Sequence, residues 1–573
     1  MFKMTICVTW RDKAFMKTTI QRLALLGLMF LVAACSGGSD SEESKNPPPG
    51  SGEDPPAHVE PPGSGKASRF LQQTTFGATP SSIERVVDMG YEDWIDWQMS
   101  LSASKHTAYY NRFNYDPDNT WSLYVDAWWH RSLKAEDQLR QRVAFALSEI
   151  WVISQYGVDS GGVDGNKSLS NYYDILLENS FGNYRDLMQD VTLSPVMGEY
   201  LSMLRNRKPD LERNIRPDEN YARELMQLFT VGLVELNLDG TAKRDAQGKT
   251  IPTYDQEDIE GLAHVFTGWT WQNAETFWWW GENRDLISPM KAFPEYHAEG
   301  EKRLINGGVI PAGQTPEQDL EQALDHIFNH PNVGPFVAKQ LIKKLVTSNP
   351  SPAYVERVAT AFNDNGNGVR GDMKAVIKAI LLDDEAVTGE SSNNKPFGKL
   401  KEPILKLTAF WRAFNANTGA GTFEFRWVDN DFAQGPLKSP SVFNFFSPNY
   451  QPAGALKDAD INAPEFEIHT EGTMAKMTNH LHWRSLSMNN FERSSPGAKD
   501  IIVNYNRERD LAASSDDELI EHLDTLLLGG TMSEHMKSVL TDYLASFNED
   551  DPERKAIEAV SMVITSPEFA VQR

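Results

Sequence analysis

A mainly α-helical body of about 500 residues, carrying one or two small β-hairpins, is what the sequence predicts for residues 68–573. Three observations predict it. Apolar residues recur at helical spacing through nearly the whole stretch, helix-start and helix-stop residues bracket those runs, and strand alternation is confined to two short segments.

From the N-terminal end of the body, Thr79-Pro80 supplies an N-cap and a first-turn proline, and Gly90 a stop, so a helix is expected between them. Residues 137–153 form a strongly periodic run with Leu139, Val143, Ala146, Leu147 and Ile150 on one side. Similar spacing predicts helices at 168–179, 184–193, 195–204, 218–234 and 255–267. The pattern resumes at 316–328, 333–347, 352–362, 373–382 and 399–414, then closes the chain at 516–528, 533–547 and 552–565. Asp239-Gly240 and Gln247-Gly248 sit between apolar residues, which predicts a hairpin over 236–254. Residues 423–427 alternate over a short stretch. Residues 362–386 and 547–569 echo one another as a loop, an apolar helix and an acidic stop, a likeness that shared helix-packing rules explain as well as a repeat does.

The first 34 residues read as a leader. Lys17 and Arg22 precede twelve uncharged residues, Leu23 to Ala34, and Val32-Ala33-Ala34 leads into Cys35. A basic stretch, a short apolar run and small residues before a cut are the marks of a secretory signal. Twelve residues are too few to span a bilayer, which takes about 20 in a helix. Met16 begins a complete signal of usual length. The cysteine after Val-Ala-Ala resembles a bacterial lipobox, which implies cleavage before Cys35, acylation of its thiol and anchorage on a membrane. Ser36 rather than Asp at the next position points to the outer membrane. Residues 35–67 then form a tether with seven prolines and an acidic run, a composition with nothing to bury. As a coil it would average roughly 30 Å end to end.

Charge and cysteine content bound the function. The chain carries 55 basic and 80 acidic residues; five of the former and one of the latter precede residue 36, leaving 50 and 79. That balance opposes the phosphate contacts of nucleic-acid binding and adhesion of the body to anionic headgroups. The only cysteines are Cys7 and Cys35, so the processed chain has no disulfide, thiolate metal site or cysteine nucleophile.

Several stretches together resemble the domain-of-unknown-function 1800 family of bacterial exported proteins. They are RFLQQTTFGATP at 69–80, DENYARELMQLFTVGL at 218–233, YDQEDIEGLAHVFTGWTW at 254–271, PMKAFPEYHAEGEKRLING at 289–307, GVRGDMKAVIKAILLDDEA at 368–386 and SPSVFNFFSPNYQP at 439–452. The ENYAREL and FTGW pair is the specific part. The resemblance implies no activity. Its genes often lie beside those of a secreted sulfatase-like family, which implies such a protein as a partner. Two positions depart from the pattern: His264 replaces an Arg, and Ala298 replaces the Asp that usually follows His297, so the adjacent His-Asp pair is missing.

Three constellations are candidates for function. In helical projection, Tyr221, Ala222, Leu225, Leu228, Phe229 and Leu233 share one face, and Glu219, Asn220, Arg223, Glu224, Gln227 and Thr230 the other. The polar face is either solvated, with Glu219 and Arg223 paired four apart, or lines a cleft where Arg223 binds and Glu219 and Glu224 do acid–base work. Trp269, Trp271, Trp278, Trp279 and Trp280 crowd one segment, and three consecutive rings cannot all enter one core. Some ring is therefore exposed, either covering an irregular loop or offering a flat platform to a glycan. His297, flanked by Glu295, Glu299 and Glu301, is the candidate general acid or metal ligand, although one histidine among carboxylates is a common pattern.

No HExxH motif or G-x-S-x-G elbow occurs. Gly248-Lys249-Thr250 fails as a phosphate loop because Lys243 holds the first glycine position, and 363–374 fails as a calcium loop because Lys374 holds the glutamate position. Neither a metal nor a cofactor is specified. These observations predict an envelope protein that binds a glycan or a partner enzyme as an accessory scaffold; the alternative is an envelope hydrolase using Glu219, Glu224 or His297, with metal assistance as one variant.

Overall fold

The computed structural model describes residues 62–111, 120–281, 283–389, 395–489, 495–547 and 551–573, with the backbone of Arg112. The leader, Cys35 and nearly all of the tether lie outside the described residues. The body begins earlier than expected, with α1 at Ser64–Thr74. Ala67 and Ser68 are fully buried, and the Ser68 hydroxyl donates to the Leu526 carbonyl at 3.3 Å, so the last residues assigned to the tether belong to the fold.

The helices expected from caps and prolines form. α2 is Pro80–Met89, with the Thr79 and Ser82 side chains exchanging hydrogen bonds with each other's backbone and Gly90 closing it. Then come α3 (Tyr91–Ser100), α4 (Leu123–Lys134), α5 (Gln138–Ser148), α6 (Gly162–Asn179), α7 (Tyr184–Thr192) and α8 (Pro195–Tyr200). α9 (Asn220–Glu224) continues as a π turn, Leu225–Thr230. α10 is Gln256–Val265. Two small antiparallel sheets follow, β1 (Trp269–Thr270) with β2 (Lys291–Ala292), and β3 (Lys302–Leu304) with β4 (Gly308–Ile310). After them come α11 (Pro316–Phe328), α12 (Val333–Leu345), α13 (Pro352–Asn363) and α14 (Met373–Leu381). β5 (Lys399–Leu400) precedes α15 (Pro403–Ala413), and α16 (Glu471–Ser487), α17 (Asn506–Ser514), α18 (Asp516–Leu523), α19 (Glu534–Leu544) and α20 (Pro552–Ile564) complete the longer helices, short helical turns of four or five residues aside. The C-terminal β6 (Val571–Gln572) returns to pair with β5.

Two strand expectations are modified. Over 236–254 the chain doubles back twice, joined by isolated bridges at Leu236–Ala242 and Arg244–Thr250 rather than by a continuous hairpin. Asp239 and Asp245 side chains accept from nearby amides and hold both turns locally. Residues 423–427 form no strand: Phe423 is buried while Trp427, which alternation would place on the same face, is exposed.

The core runs without interruption from α1 to α20. Helix α10 lies against β3 so closely that a Cβ on Gly261 would stand 1.9 Å from the Arg303 carbonyl oxygen, a contact only glycine permits. Arg303 in turn ion-pairs with Asp255 at 2.7 Å, with Asp258 at 3.0 Å and with Glu257, all at the start of α10.

A charged network fills the centre where α5, α12, β5 and α15 meet. Glu149 and Glu402 lie within hydrogen-bonding reach of each other. The Lys399 ammonium is 3.1 Å from Glu402 and 3.3 Å from Glu465, Lys344 is 3.5 Å from Glu149, and Gln434 donates to Glu402 at 2.6 Å. Arg142 donates to the Lys344 carbonyl at 2.8 Å. Burial and the neighbouring Glu402 charge hold Glu149 above the ordinary carboxylate range; Glu402 is itself buried, but Lys399 and Lys344 hold it below that range.

Candidate functional site

One loop ties the tryptophan segment to α9. Arg205 donates its amide to the Trp269 carbonyl at 2.7 Å, and the Gly268 amide donates to the Asn206 carbonyl at 2.8 Å. The Asn206 side chain then brackets Asp218, accepting from its amide at 2.8 Å and donating to its carbonyl at 3.0 Å. Farther along, the Lys208 amide donates to the Tyr296 carbonyl at 2.8 Å. Residues 205–218 therefore bridge β1, the segment leading into His297 and the start of α9.

The five tryptophans divide by burial. Trp269 and Trp271 are 3% and 1% exposed and belong to the core, so they are unavailable as a platform. The backbone bonds to the bridging loop on either side of Trp269, and the packing of Trp280 and Arg205 against Trp271, enclose both rings. Trp279 is half-buried, while Trp278 and Trp280 are 48% and 56% exposed. Their loop is braced: Asn273 donates to the Asn283 carbonyl at 2.7 Å and accepts from the Asp285 amide at 2.9 Å, and Asp285 accepts from the Ile287 and Ser288 amides.

Arginines, which the spacing of the sequence did not flag, surround these rings. The Arg205 and Arg284 guanidiniums lie 4.3 and 4.4 Å from the Trp280 centroid, and Arg207 lies 5.6 Å from Trp278. Trp271 supports Trp280 edge-on at 5.1 Å, and Trp278 meets Phe277 and Tyr296 edge-on at 4.8 and 5.7 Å. Arg284 pairs with Asp159 at 2.7 Å. The signal that could have found this ring of cations is local richness: Arg205, Arg207, Lys208, Arg213 and Arg216 crowd one loop of a strongly acidic chain.

On α9, Glu219 and Arg223 form the expected i, i+4 pair at 2.8 Å, and Glu219 also accepts from Gln256 at 2.9 Å. The projected faces are not kept. Glu224 is only 6% exposed and Thr230 is buried, whereas Leu233 is 59% exposed. The π turn adds a residue to one turn and so rotates the residues that follow by about 100° from the helical projection, which accounts for Leu233; Glu224 precedes the turn and owes its burial to packing. Tyr184 donates to the Phe229 carbonyl at 2.7 Å, satisfying a group at that turn. Glu224 Oε2 is buried with no hydrogen-bond partner among the described residues. Burial pushes its carboxyl upward, with Arg223 opposing; Tyr254 and Tyr200 both lie within range of its charge.

His297 occupies a different place from the one its flanks imply. It is 1% exposed, with Nδ1 facing the Thr267 carbonyl at 2.9 Å and Nε2 facing Asp319 at 2.9 Å. Lys302 pairs with the same Asp319 oxygen at 2.5 Å, also fully enclosed. Glu295, Glu299 and Glu301 are exposed, and among the described residues no group of three or more His, Cys, Asp or Glu is arranged to hold a metal ion. The carboxylate missing at 298 is supplied by α11, 22 residues away. Among the described residues no hydrogen bond or ion pair joins His297 to Glu219 or Glu224, so the three do not form one constellation.

A separate cleft of about 670 Å³ lies among Ser104, His130, Arg131, Lys134, Asp137 and Phe423. Its polar groups are largely engaged: Asp137 accepts from the Ser104 amide at 2.9 Å, Arg131 donates to the Lys105 carbonyl and Lys134 donates to Asn415 at 3.0 Å.

Fold and site define a mainly helical protein with a braced loop that turns Trp278 and Trp280 to solvent beside partly buried arginines. The chain belongs to the family described as a protein of unknown function, DUF1800, whose model matches residues 69–571. Neither a curated protein nor a solved structure matches it.

Proposed function

We propose that this is a binding protein of the bacterial cell envelope. On this reading, acylated Cys35 holds it on a membrane, the outer membrane in the version the residue after the cysteine favours, and the tether presents the body to a glycan. A partner envelope enzyme, of the sulfatase-like kind the family resemblance implies, would act on what the body holds. The observation that carries the reading is the exposure of Trp278 and Trp280 on a loop pinned by Asn273 and Asp285. Two large rings kept in water and held still suit the apolar faces of sugar rings, since little ordering remains to be done on binding. Affinity electrophoresis of the detergent-solubilised full chain through a panel of polysaccharides tests this. Retardation by at least one polymer, reduced in Trp278→Ala and Trp280→Ala, is expected; retardation equal in wild type and both variants would defeat it.

A hydrolase is the second reading, and Glu224 supports it through a buried carboxyl oxygen with no partner and a protonated form favoured by burial. Glu219, tied to Arg223 and Gln256, would orient rather than transfer protons. His297, enclosed with Asp319 and Lys302, would contribute to the fold. Turnover of a polysaccharide abolished by Glu224→Gln with an unchanged melting curve would establish this reading; turnover unaffected by that substitution would remove it.

A further inference from the structure

The geometry points to an acidic saccharide, one bearing carboxylate or sulfate groups, as the ligand of the Trp278–Trp280 face, with Arg205 and Arg284 binding its anionic substituents. This inference rests on the glycan-binding reading above and narrows it.

Both arginines are short of partners. Among the described residues Arg205 makes no side-chain hydrogen bond and no ion pair, and its Nε is buried without a partner. Arg284 uses one terminal nitrogen on Asp159, but its Nε is also buried and unpartnered. Guanidinium groups carry five donors in a planar fork that matches a carboxylate or sulfate, and they stack on aromatic rings without losing those donors. Both groups lie over the same Trp280 ring, so two like charges are held close with one ion-paired carboxylate, Asp159, for the two of them. That arrangement costs repulsion in the empty state and is relieved by an anion.

Nearby acids cancel only part of the positive charge. Asp159 is committed to Arg284. Glu199 is the other neighbouring carboxylate; it makes no ion pair with either arginine, and burial holds its carboxyl above the ordinary range. Arg207, beside Trp278, stands 3.6 Å from Asp210, and this adds a third guanidinium at the rim. The whole chain carries a formal charge of −25, so indiscriminate attraction of polyanions to the body as a whole is disfavoured. A positive, aromatic patch on such a body selects for the combination of sugar ring and fixed negative charge.

The test compares dextran, dextran sulfate and polygalacturonate in affinity electrophoresis of the full chain at fixed ionic strength, with Arg205→Gln, Arg284→Gln and the distant Arg244→Gln as variants. At least one anionic polymer should bind about tenfold or more tightly than dextran. Arg205→Gln and Arg284→Gln should each weaken that binding about tenfold, as loss of a charge-assisted hydrogen bond implies. Arg244→Gln should leave it unchanged. Because Arg284→Gln also frees Asp159, the double variant Asp159→Asn with Arg284→Gln checks that loop disorder is not the cause; it should bind no better than the single one. Equal binding of dextran and both anionic polymers overturns the acidic specificity while leaving the glycan reading standing. Anionic binding undiminished in Arg205→Gln and Arg284→Gln overturns the site. Binding of no polymer overturns both.

Discussion

Replacing Glu402 by glutamine and, separately, Glu149 by glutamine should have very different consequences, although the two carboxyls face each other in the same network. Glu402 is the ionised member: Lys399 approaches one of its oxygens at 3.1 Å and Gln434 donates to the other at 2.6 Å. Glutamine there removes the charge that compensates Lys399 and Lys344, and in either orientation turns its NH2 group toward a donor, the Lys399 ammonium or the Gln434 amide. Breaking one side of a buried ion pair costs roughly 3–5 kcal/mol. Glu149 keeps its proton, so glutamine copies its charge and shape, and the loss should be about 1 kcal/mol, the value of one neutral hydrogen bond. The pH dependences have opposite signs. Glu149 is raised in the folded state, so its contribution is complete below the ordinary glutamate value and is lost as pH climbs through the raised one. Glu402 is lowered, so its contribution is present above the ordinary value and is lost as pH falls through the depressed one. Urea midpoints followed by tryptophan fluorescence from pH 5 to 8 provide the assay. Across that window the stability of Glu149→Gln should rise relative to that of wild type as pH increases, because the variant lacks the contribution that Glu149 loses. Equal destabilisation by the two substitutions, or parallel pH curves for wild type and Glu149→Gln, would refute the assignment of the shared proton.

His297→Ala should destabilise the body by about 2–4 kcal/mol, because it leaves Asp319 and Lys302 buried without their third partner, yet polysaccharide retardation of the folded fraction should match wild type. Denaturation and affinity electrophoresis on the same sample read both. Gly261→Ala should cost about 1–3 kcal/mol or more through the forced shift of α10 from β3, whereas Gly300→Ala, whose Cβ meets nothing, should be near neutral in thermal melting. Cys35→Ala should abolish incorporation of labelled fatty acid in cells, and equal labelling of the variant would end the lipid-anchor proposal.

Much of the secondary structure was legible because its causes are local. Thr79-Pro80, Thr315-Pro316 and Asp255 place helix starts within a few residues of their own side-chain caps, and α11 occupies the expected span. The Glu219–Arg223 pair follows from helical rise alone, and crowding among Trp278, Trp279 and Trp280 sufficed to require exposed rings. Tertiary structure decided the rest. Nothing in the spacing around His297 points to Asp319, nor in the neighbours of Trp280 to Arg205, because those partners arrive from other elements after packing. The same holds for Glu149 and Glu402, which are ordinary surface-type residues until α5 and α15 enclose them. The π turn after Glu224 shows the limit most directly: an apolar face read at 3.6 residues per turn holds only while the backbone keeps that period, and the core around Phe229 and Tyr184 sets the period there. Sequence by itself determined where the helices with strong caps and apolar periodicity start and which rings could not be hidden, but not the helices at 64–74, 91–100, 123–134, 471–487 and 506–514. Packing alone determined which charges were left without partners, because burial and pairing depend on atoms brought together from distant parts of the chain.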